Sequence, residues 1–289
     1  MRRNLLVVLF FIVIFSAYTA DTNISIVWWN VANFFDTIDD PKKNDTVVNK
    51  QDYQEKISLV SGVIKDLDGD IIGLTEVENI AVLKLLASET GYQYYYLIEG
   101  NDPRGIDIAM MSRFEAVYYR SNKDLAVPYS VNYNYKFSRD CPEAKFVING
   151  VEFFVVLAHL KSKYGKDQYD EEKRVAQAKG IITIIGNIYN YDPKKKPPVI
   201  VLGDFNTGRE TEPLNILEKS GLRIINYDYP LREVYTYIYQ GTKEDIDYMM
   251  VNEHFVKSFK IKNFKAFHNR YISKASDHFP LKLEVVLKK

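Results

Sequence analysis

The sequence predicts an α/β fold built on a mixed β-sheet. Five short apolar runs have the length and composition of buried strands, and each adjoins polar residues of catalytic types: residues 24–29, 71–75, 153–158, 198–202 and 279–287. Helical patterns alternate with these runs along the chain, and hairpin signals join further strand patterns. Because interleaved helices favour parallel strands and hairpins require antiparallel ones, we expect both orientations in the sheet.

Three segments have apolar side chains at the three-and-four spacing of a helix that lays one face on a sheet: residues 51–67, 79–90 and 171–190. Gly91 follows the second segment, where a helix would end. Further strands are predicted at residues 93–98, 106–111, 116–119 and 144–148, with a turn at Asn149-Gly150. The tyrosines of residues 94–96 and 235–239 are predicted to alternate across strands, and residues 39–50 and 194–198 to form loops.

Residues 1–20 differ in kind from the rest of the chain. Arg2 and Arg3 precede an uninterrupted apolar run, residues 5–15, and small and polar residues follow it. This is the layout of a secretory signal peptide, since a membrane-spanning helix needs roughly 20 apolar residues. We expect export to the periplasm or the cell exterior, with residues 21–289 as one domain and no membrane span after processing. An uncleaved N-terminal anchor is the alternative.

Composition limits the class of protein. A chain of 289 residues with 46% hydrophobic residues can bury one large core. Removing residues 1–20 takes away two arginines and no acidic residue, which leaves 36 basic and 38 acidic side chains and a net charge of −2. A strongly basic nucleic-acid-binding protein is therefore not indicated. Cys141 is the one cysteine, so no intramolecular disulfide forms, and we expect a buried thiol.

Glu76 stands at the end of an apolar run and has two interpretations. It could cap the helix that follows. Alternatively, together with Asn30 and Asp277, it would supply an oxygen-only ligand set, which suits a hard cation such as Mg²⁺, with Mn²⁺ as a substitute. The sequence has no histidine and cysteine cluster with zinc spacing, which disfavours zinc.

Asp204 and Asn206 would lie on the same side of an extended backbone, because strand side chains alternate with period two. Asp204 could then accept a proton from water while Asn206 donates to a phosphate oxygen. An Asx turn leading into Thr207 is the alternative.

His278 needs a carboxylate to fix its tautomer, and Asp277 would face the opposite way in an extended chain. Asp247 suits this role. His159 lies close to Lys161, whose charge suits an anionic substrate. The two remaining histidines, in polar surroundings without a pattern, are interpreted as structural: His254 and His268.

Seven motifs, taken together, resemble the endonuclease/exonuclease/phosphatase superfamily, which includes the DNase I-like nucleases. They occur in the family's order between residues 24 and 287: WNVANFFD (29–36), LTEVEN (74–79), RGID (104–107), HLKS (159–162), GDFN (203–206), DIDY (245–248) and SDHFP (276–280). Any one of these motifs would be weak evidence for the resemblance, whereas seven motifs in the family's order are specific evidence for it.

The resemblance implies a four-layered sandwich of two packed mixed β-sheets flanked by helices. It also implies roles for the polar residues. Glu76 matches the principal Mg²⁺ ligand, and Asn30 and Asp277 match positions near the metal and the phosphate. The positions that match catalytic residues are the water- and phosphate-positioning pair, the Asp-His pair and the second histidine: Asp204, Asn206, Asp247, His278 and His159.

Substrate phosphate would be bound by Arg139, which resembles an arginine of the DNase I-like branch, and by Lys161. Glu99 and Asp107 are both plausible partners of His159. The function implied is an exported, Mg²⁺-dependent phosphodiesterase, most readily a nuclease, with no protein partner. Two rivals remain: a phosphoesterase acting on phospholipid, sphingomyelin or inositol phosphate, for which residues 235–239 could form an exposed hairpin, and a silent binding or adhesion module.

Overall fold

The computed structural model describes residues 22–130, 133–163, 168–191 and 196–288. The predicted signal peptide and residues 194–195 of the predicted loop lie outside the described residues. The strands are β1 Asn23–Phe34, β2 Ile71–Val77, β3 Tyr94–Leu97, β4 Asp107–Ser112, β5 Tyr118–Arg120, β6 Val127–Ser130, β7 Tyr133–Tyr135, β8 Glu143–Ile148, β9 Val151–His159, β10 Val199–Asp204, β11 Arg223–Ile224, β12 Tyr237–Tyr239, β13 Thr242–Glu244, β14 Asp247–Val251, β15 Phe259–Ala266 and β16 Leu281–Leu287. The α-helices are α1 Lys50–Leu67, α2 Ile80–Thr90, α3 Gln168–Tyr191, α4 Glu212–Lys219, α5 Leu231–Val234, α6 Glu253–Ser258 and α7 Ile272–Ala275.

Two six-stranded sheets form the centre of the molecule. The first sheet has the order β15-β16-β1-β2-β4-β3, and the second has the order β11-β14-β10-β9-β8-β5. Each sheet contains one parallel pair, β1 with β2 and β9 with β10, among antiparallel neighbours. The predicted mixed topology is therefore confirmed.

Three apolar layers hold the sheets and helices together, as the predicted four-layered sandwich requires. An inner layer lies between the sheets and includes Trp28 and Leu157. One outer layer packs the first sheet against α1 and α2 and includes Trp29, and the other packs the second sheet against α3 and α4. The adjacent tryptophans thus point to opposite faces of β1, as the period of a strand dictates.

The sheets approach closely at Gly73 of β2. A Cβ on this residue would lie 2.9 Å from Trp28 Cε3 and 2.9 Å from Leu157 Cδ2. Because interiors are already packed at crystal-like density, there is no room here for a methyl group.

The three predicted helices are confirmed. Asn79 caps α2 by accepting hydrogen bonds from Ala81 N and Val82 N, and Gly91 ends the helix at φ 80°. Tyr95 and Tyr96 of β3 pack into different apolar layers, so the predicted alternation of tyrosines is also confirmed there. Among the described residues, the helices are all too short or too polar to cross a lipid bilayer.

Candidate active site

A cleft of about 1380 Å³ opens where the two parallel strand pairs end. Asn30 and Glu76 come from β1 and β2 of the first sheet, and His159 and Asp204 are the last residues of β9 and β10 in the second. His159 and Asp204 are direct cross-strand neighbours, and Asp204 also faces Asp247 of β14. Since carboxyl ends of parallel strands meet at one edge, the topology gathers these side chains without long loops.

His278 and Asp247 form a buried pair, as the sequence predicted. His278 Nδ1 lies 2.7 Å from Asp247 Oδ2, and the other carboxylate oxygen accepts a hydrogen bond of 2.8 Å from Trp28 Nε1. Trp29 Nε1 donates to the backbone oxygen of His278 at 3.0 Å. The two tryptophans therefore fix both members of the pair, one from each face of β1.

The charge state of His278 follows from its surroundings. Burial by itself lowers the pKa of His278, but the carboxylates of Asp247 and Asp204 outweigh burial and raise it to about 10. The imidazole is accordingly protonated at neutral pH, which makes it a donor toward the cleft.

His159 has a different partner from either one expected. Its Nδ1 lies 2.7 Å from Thr75 Oγ1, and its Nε2 lies 3.3 Å from Asp204 Oδ2. The expected partners were wrong. Asp107 is buried and accepts a hydrogen bond from Gly100 N at 2.7 Å, and Glu99 lies beside Lys43 on the surface.

Burial lowers the pKa of His159 well below its ordinary value, and the positive charges of Arg139, His278 and Arg104 lower it further. His159 is therefore neutral where His278 is charged.

Asp204 is buried and surrounded by donors. Asn30 Nδ2 lies 3.0 Å from Oδ2, and Asn206 N lies 2.9 Å from Oδ1. Burial raises the pKa of Asp204 to about 7, with a further increase from Asp247 and opposition from His278. A carboxylate with this pKa can take up a proton near neutral pH.

Of the two interpretations of residues 204–206, the structure has the Asx turn and not the extended backbone. Asn206 has φ 49°, and its N–H donates to the side chain of Asp204. Asn206 still faces the cleft, since its Nδ2 donates to Leu160 O at 3.2 Å and the residue lines the cavity. Because an amide group has two N–H donors, one remains for a ligand.

Asn30 orients carboxylates in this structure. Ala32 N donates to Asn30 Oδ1 at 2.9 Å, which identifies that atom as the oxygen because a backbone N–H can only donate. Its Nδ2 therefore faces Glu76 Oε1 at 3.2 Å and Asp204 Oδ2. The expectation that Asn30 lies beside the metal ligand is compatible with this arrangement, but its oxygen is not directed at Glu76.

Glu76 has a left-handed backbone, with φ 65°, immediately before the end of β2. Asn33 N donates to its Oε2 at 2.7 Å. Non-glycine residues adopt this conformation at a cost, and such strain concentrates at functional sites. The conformation turns the carboxylate into the cleft, so helix capping, the alternative considered for Glu76, is supplied instead by Asn79.

Lys56 of α1 supports this side of the cleft and was missed by the sequence analysis. Its Nζ donates to Ala32 O at 2.9 Å and to Ala275 O at 2.5 Å. Burial lowers the pKa of Lys56 to about 8, against the opposing effect of Glu76 and Asp277. The ammonium thus ties the end of β1, where Asn33 N holds the Glu76 carboxylate, to the segment that precedes Asp277.

The side chains present fit a hard divalent cation. Glu76 and the exposed Asp277 line the same cleft and offer carboxylate oxygens, the ligand type that Mg²⁺ prefers. A second group has potential ligand atoms within 4.8 Å of one another: Asp204, Asp247 and His278. There, however, the Nδ1 of His278 is already hydrogen-bonded to Asp247. We therefore favour the position of Glu76 and Asp277.

Cationic side chains lie on one wall of the cleft. Arg139 is buried, donates from Nη1 to Leu160 O at 3.0 Å, and has its Nε 3.1 Å from Asp102 Oδ2. Asp102 also contacts Arg104 at 3.0 Å. Lys161 is partly exposed, with Nζ 3.9 Å from Asp170. Sequence reasoning did not identify Asp102, which holds the two guanidinium groups.

Two hairpins flank the cleft. The first pairs β6 with β7 and presents Tyr133, which is 61% exposed. The second pairs β12 with β13 and presents Ile238 and Tyr239, which are 43% and 53% exposed. Tyr237 forms a backbone bridge to His278, with the two ring centroids 5.1 Å apart. Both hairpins thus contribute aromatic rings to the lining of the cleft.

Comparison with known proteins identifies related sequences and folds. A family model described as the endonuclease/exonuclease/phosphatase family matches residues 25–283. A search of curated proteins finds no match.

Solved structures share the fold at low sequence identity. The human nocturnin catalytic domain with bound sulfate is 19% identical, with a TM-score of 0.67 over 93% of this chain and 97% of that chain. An endonuclease/exonuclease/phosphatase family protein of Bacteroides thetaiotaomicron is 18% identical, with a TM-score of 0.65 over 93% and 100%. A mannosyl-6-phosphatase of the same species is 18% identical, with a TM-score of 0.62 over 91% and 100%.

Proposed function

The chain belongs to the endonuclease/exonuclease/phosphatase family, whose members are phosphoric ester hydrolases, and from this premise we propose that it is an exported, divalent-metal-dependent nuclease. One observation carries the proposal. A charged histidine, a carboxylate with a pKa near neutrality and the Glu76 carboxylate share one cleft.

The proposed reaction is in-line attack of water on phosphorus. Asp204 accepts a proton from the attacking water, a role that suits the pKa of about 7. His278 stays protonated and donates from Nε2 toward the phosphate, while Asp247 holds the imidazole by its other nitrogen. The second N–H of Asn206 is directed to a phosphate oxygen. The bond between phosphorus and the leaving oxygen breaks as the bond to water forms, and the leaving oxygen takes its proton from solvent.

The remaining polar residues bind rather than transfer protons. A bound Mg²⁺ or Mn²⁺, held by Glu76 and Asp277, would neutralise charge that develops on phosphate oxygens. Arg139 and Lys161 attract the phosphate group, which a mature chain of net charge −2 could not do by its overall field.

The two hairpins favour a nucleic acid over a smaller phosphoester. Exposed aromatic faces at a cleft suit stacking of bases, and every base offers such a face. Tyr133 and Tyr239 line the cleft from different hairpins, so two nucleotides of one bound strand could each stack on a ring. We propose single-stranded nucleic acid as the substrate, because its bases are free to stack.

A substrate panel tests this proposal. Purified residues 21–289 would be assayed with Mg²⁺ on single-stranded DNA, duplex DNA, RNA, sphingomyelin vesicles, inositol phosphates and sugar phosphates, with His278→Ala as the inactive control. We expect hydrolysis of single strands, and a rise in KM for Tyr239→Ala on that substrate alone. Preferential hydrolysis of vesicles or of a phosphomonoester would refute the nuclease, and binding without turnover on every substrate would indicate a silent module.

A further inference from the structure

His159 is held by a hydroxyl group where His278 is held by a carboxylate. Thr75 is fully buried on β2, and its Oγ1 lies 2.7 Å from His159 Nδ1 at the end of β9. The contact crosses from the first sheet to the second. It joins the residue directly before Glu76 to the second histidine of the cleft.

Which of the two atoms donates this hydrogen bond follows from counting the hydrogens that each could contribute. Among the described residues, the hydroxyl of Thr75 has one recorded hydrogen-bond partner, the Nδ1 of His159. If Nδ1 carried a proton and donated it to Oγ1, the hydroxyl hydrogen would be buried without an acceptor, which is strongly unfavourable. The hydroxyl therefore donates, and Nδ1 is unprotonated.

The surroundings of Nε2, the second ring nitrogen of His159, indicate the same tautomer. His159 Nε2 lies 3.3 Å from Asp204 Oδ2 and 4.0 Å from Glu76 Oε1. Ionised carboxylates only accept hydrogen bonds, so once Asp204 has lost its proton a lone pair on Nε2 would face two acceptors. A proton on Nε2 removes that conflict.

We infer that Thr75 is a positioning residue that locks neutral His159 in the tautomer with the proton on Nε2. His159 is then a fixed hydrogen-bond donor to a phosphate oxygen and takes no proton from water, because its cleft-facing nitrogen already carries one. The catalytic half of this inference rests on the proposed function. The tautomer itself does not depend on any substrate.

Nitrogen NMR tests the tautomer directly. Protein labelled with ¹⁵N-histidine would be recorded in EDTA at a pH well above the pKa of Asp204, which is about 7, and the His159 signals would be assigned by their loss in His159→Ala. We expect Nε2 to have the chemical shift of a protonated nitrogen and Nδ1 that of an unprotonated, hydrogen-bonded one. A protonated Nδ1 in the wild-type protein, with or without a proton on Nε2, would overturn the inference even if no variant folded.

Two substitutions of Thr75 separate the hydroxyl from the space it fills. Thr75→Val keeps the shape and removes the hydroxyl, so we expect both His159 tautomers to appear and kcat to fall about tenfold with KM unchanged. Thr75→Ser keeps the hydroxyl and should retain the single tautomer and the wild-type rate.

The kinetic effect of Thr75→Val should disappear in a His159→Ala background, since Thr75 acts through that ring. Losses that multiply would mean that Thr75 acts independently and would refute the positioning role. If no phosphoester is hydrolysed, the proposed function fails, while the NMR spectrum still decides the tautomer.

Discussion

Replacing Asp247 with asparagine should move the pH range of activity, because this residue supplies the charge that keeps His278 protonated. The amide has the same size, and its oxygen can still accept from Trp28 Nε1 at the position of Oδ1. Its nitrogen would then face His278 Nδ1 across 2.7 Å, with donor opposing donor. The substitution thus removes one negative charge and one hydrogen bond.

The size of the effect follows from the pKa of His278. In the intact site the carboxylates hold this pKa at about 10, against an ordinary value of 6.5. Without Asp247, burial is opposed chiefly by Asp204, and we expect the pKa of His278 to return at least to its ordinary value. At pH 8 the protonated fraction would then fall from nearly 1 to about 0.03, a loss of about 30-fold before any loss of orientation.

The assay is kcat/KM against pH between about 5 and 11. In the wild-type enzyme, activity should rise as Asp204 loses its proton near pH 7 and fall as His278 loses its proton near pH 10. Because Asp247 also raises the pKa of Asp204, both limbs should shift to lower pH in Asp247→Asn.

Stability provides a readout without substrate. A His278 pKa raised from 6.5 to about 10 stabilises the fold fully below pH 6.5, and this contribution is lost as pH rises toward 10. In EDTA, Asp247→Asn should reduce that part of the pH dependence of unfolding. An unshifted falling limb, or losses for Asp247→Asn and His278→Ala that multiply in the double variant, would refute the pairing.

Three further results are expected. EDTA should abolish hydrolysis and Mg²⁺ or Mn²⁺ should restore it, and Glu76→Gln should raise the metal concentration needed for half-maximal rate; full turnover in chelator would exclude the metal. Arg139→Ala should raise KM more than it lowers kcat, since the guanidinium is charged throughout the reaction, and a pure kcat defect would assign it to the transition state. Mass spectrometry of exported protein should find a chain that begins near residue 21, whereas an intact Met1 in a membrane fraction would favour the anchor.

The sequence predicted the sheets better than the polar contacts between them. Apolar runs locate β1, β2, β9 and β10 because strands buried on both faces have few polar residues to interrupt them, and β16 is located although Lys282 and Glu284 alternate with its first apolar residues. The edge strand β15 was missed, since it alternates between buried and exposed residues and carries four lysines or asparagines among its eight residues. Residues 235–239 were expected to form a strand or an exposed hairpin, and the structure has a hairpin of β12 and β13 there, with strands of three residues each that are too short for periodicity to fix their bounds.

Within the candidate site, spacing along the chain identified residues but not their partners. Asp247 could be matched to His278 because a lone histidine requires a carboxylate. Thr75 could not be matched to His159, since a hydroxyl inside a strand pattern is a common core residue. The sequence did offer one signal for Trp28 and Trp29, the residues that hold the Asp247–His278 pair. The chain has two tryptophans, and they are adjacent on the strand that leads to Asn30. Adjacent residues of a strand reach both of its faces.

The close approach of the sheets at Gly73 connects packing with chemistry. Three buried side-chain contacts span the gap between the sheets: Trp28 to Asp247, Asn30 to Asp204 and Thr75 to His159. Each donor belongs to the first sheet and each acceptor to the second. The separation of the two sheets therefore determines all three donor–acceptor distances in the site. The methyl group of Gly73→Ala would lie 2.9 Å from atoms of Trp28 and Leu157. By forcing the sheets apart it would lengthen all three distances together. Activity would then be lost by a change of spacing in a site whose own residues are all intact.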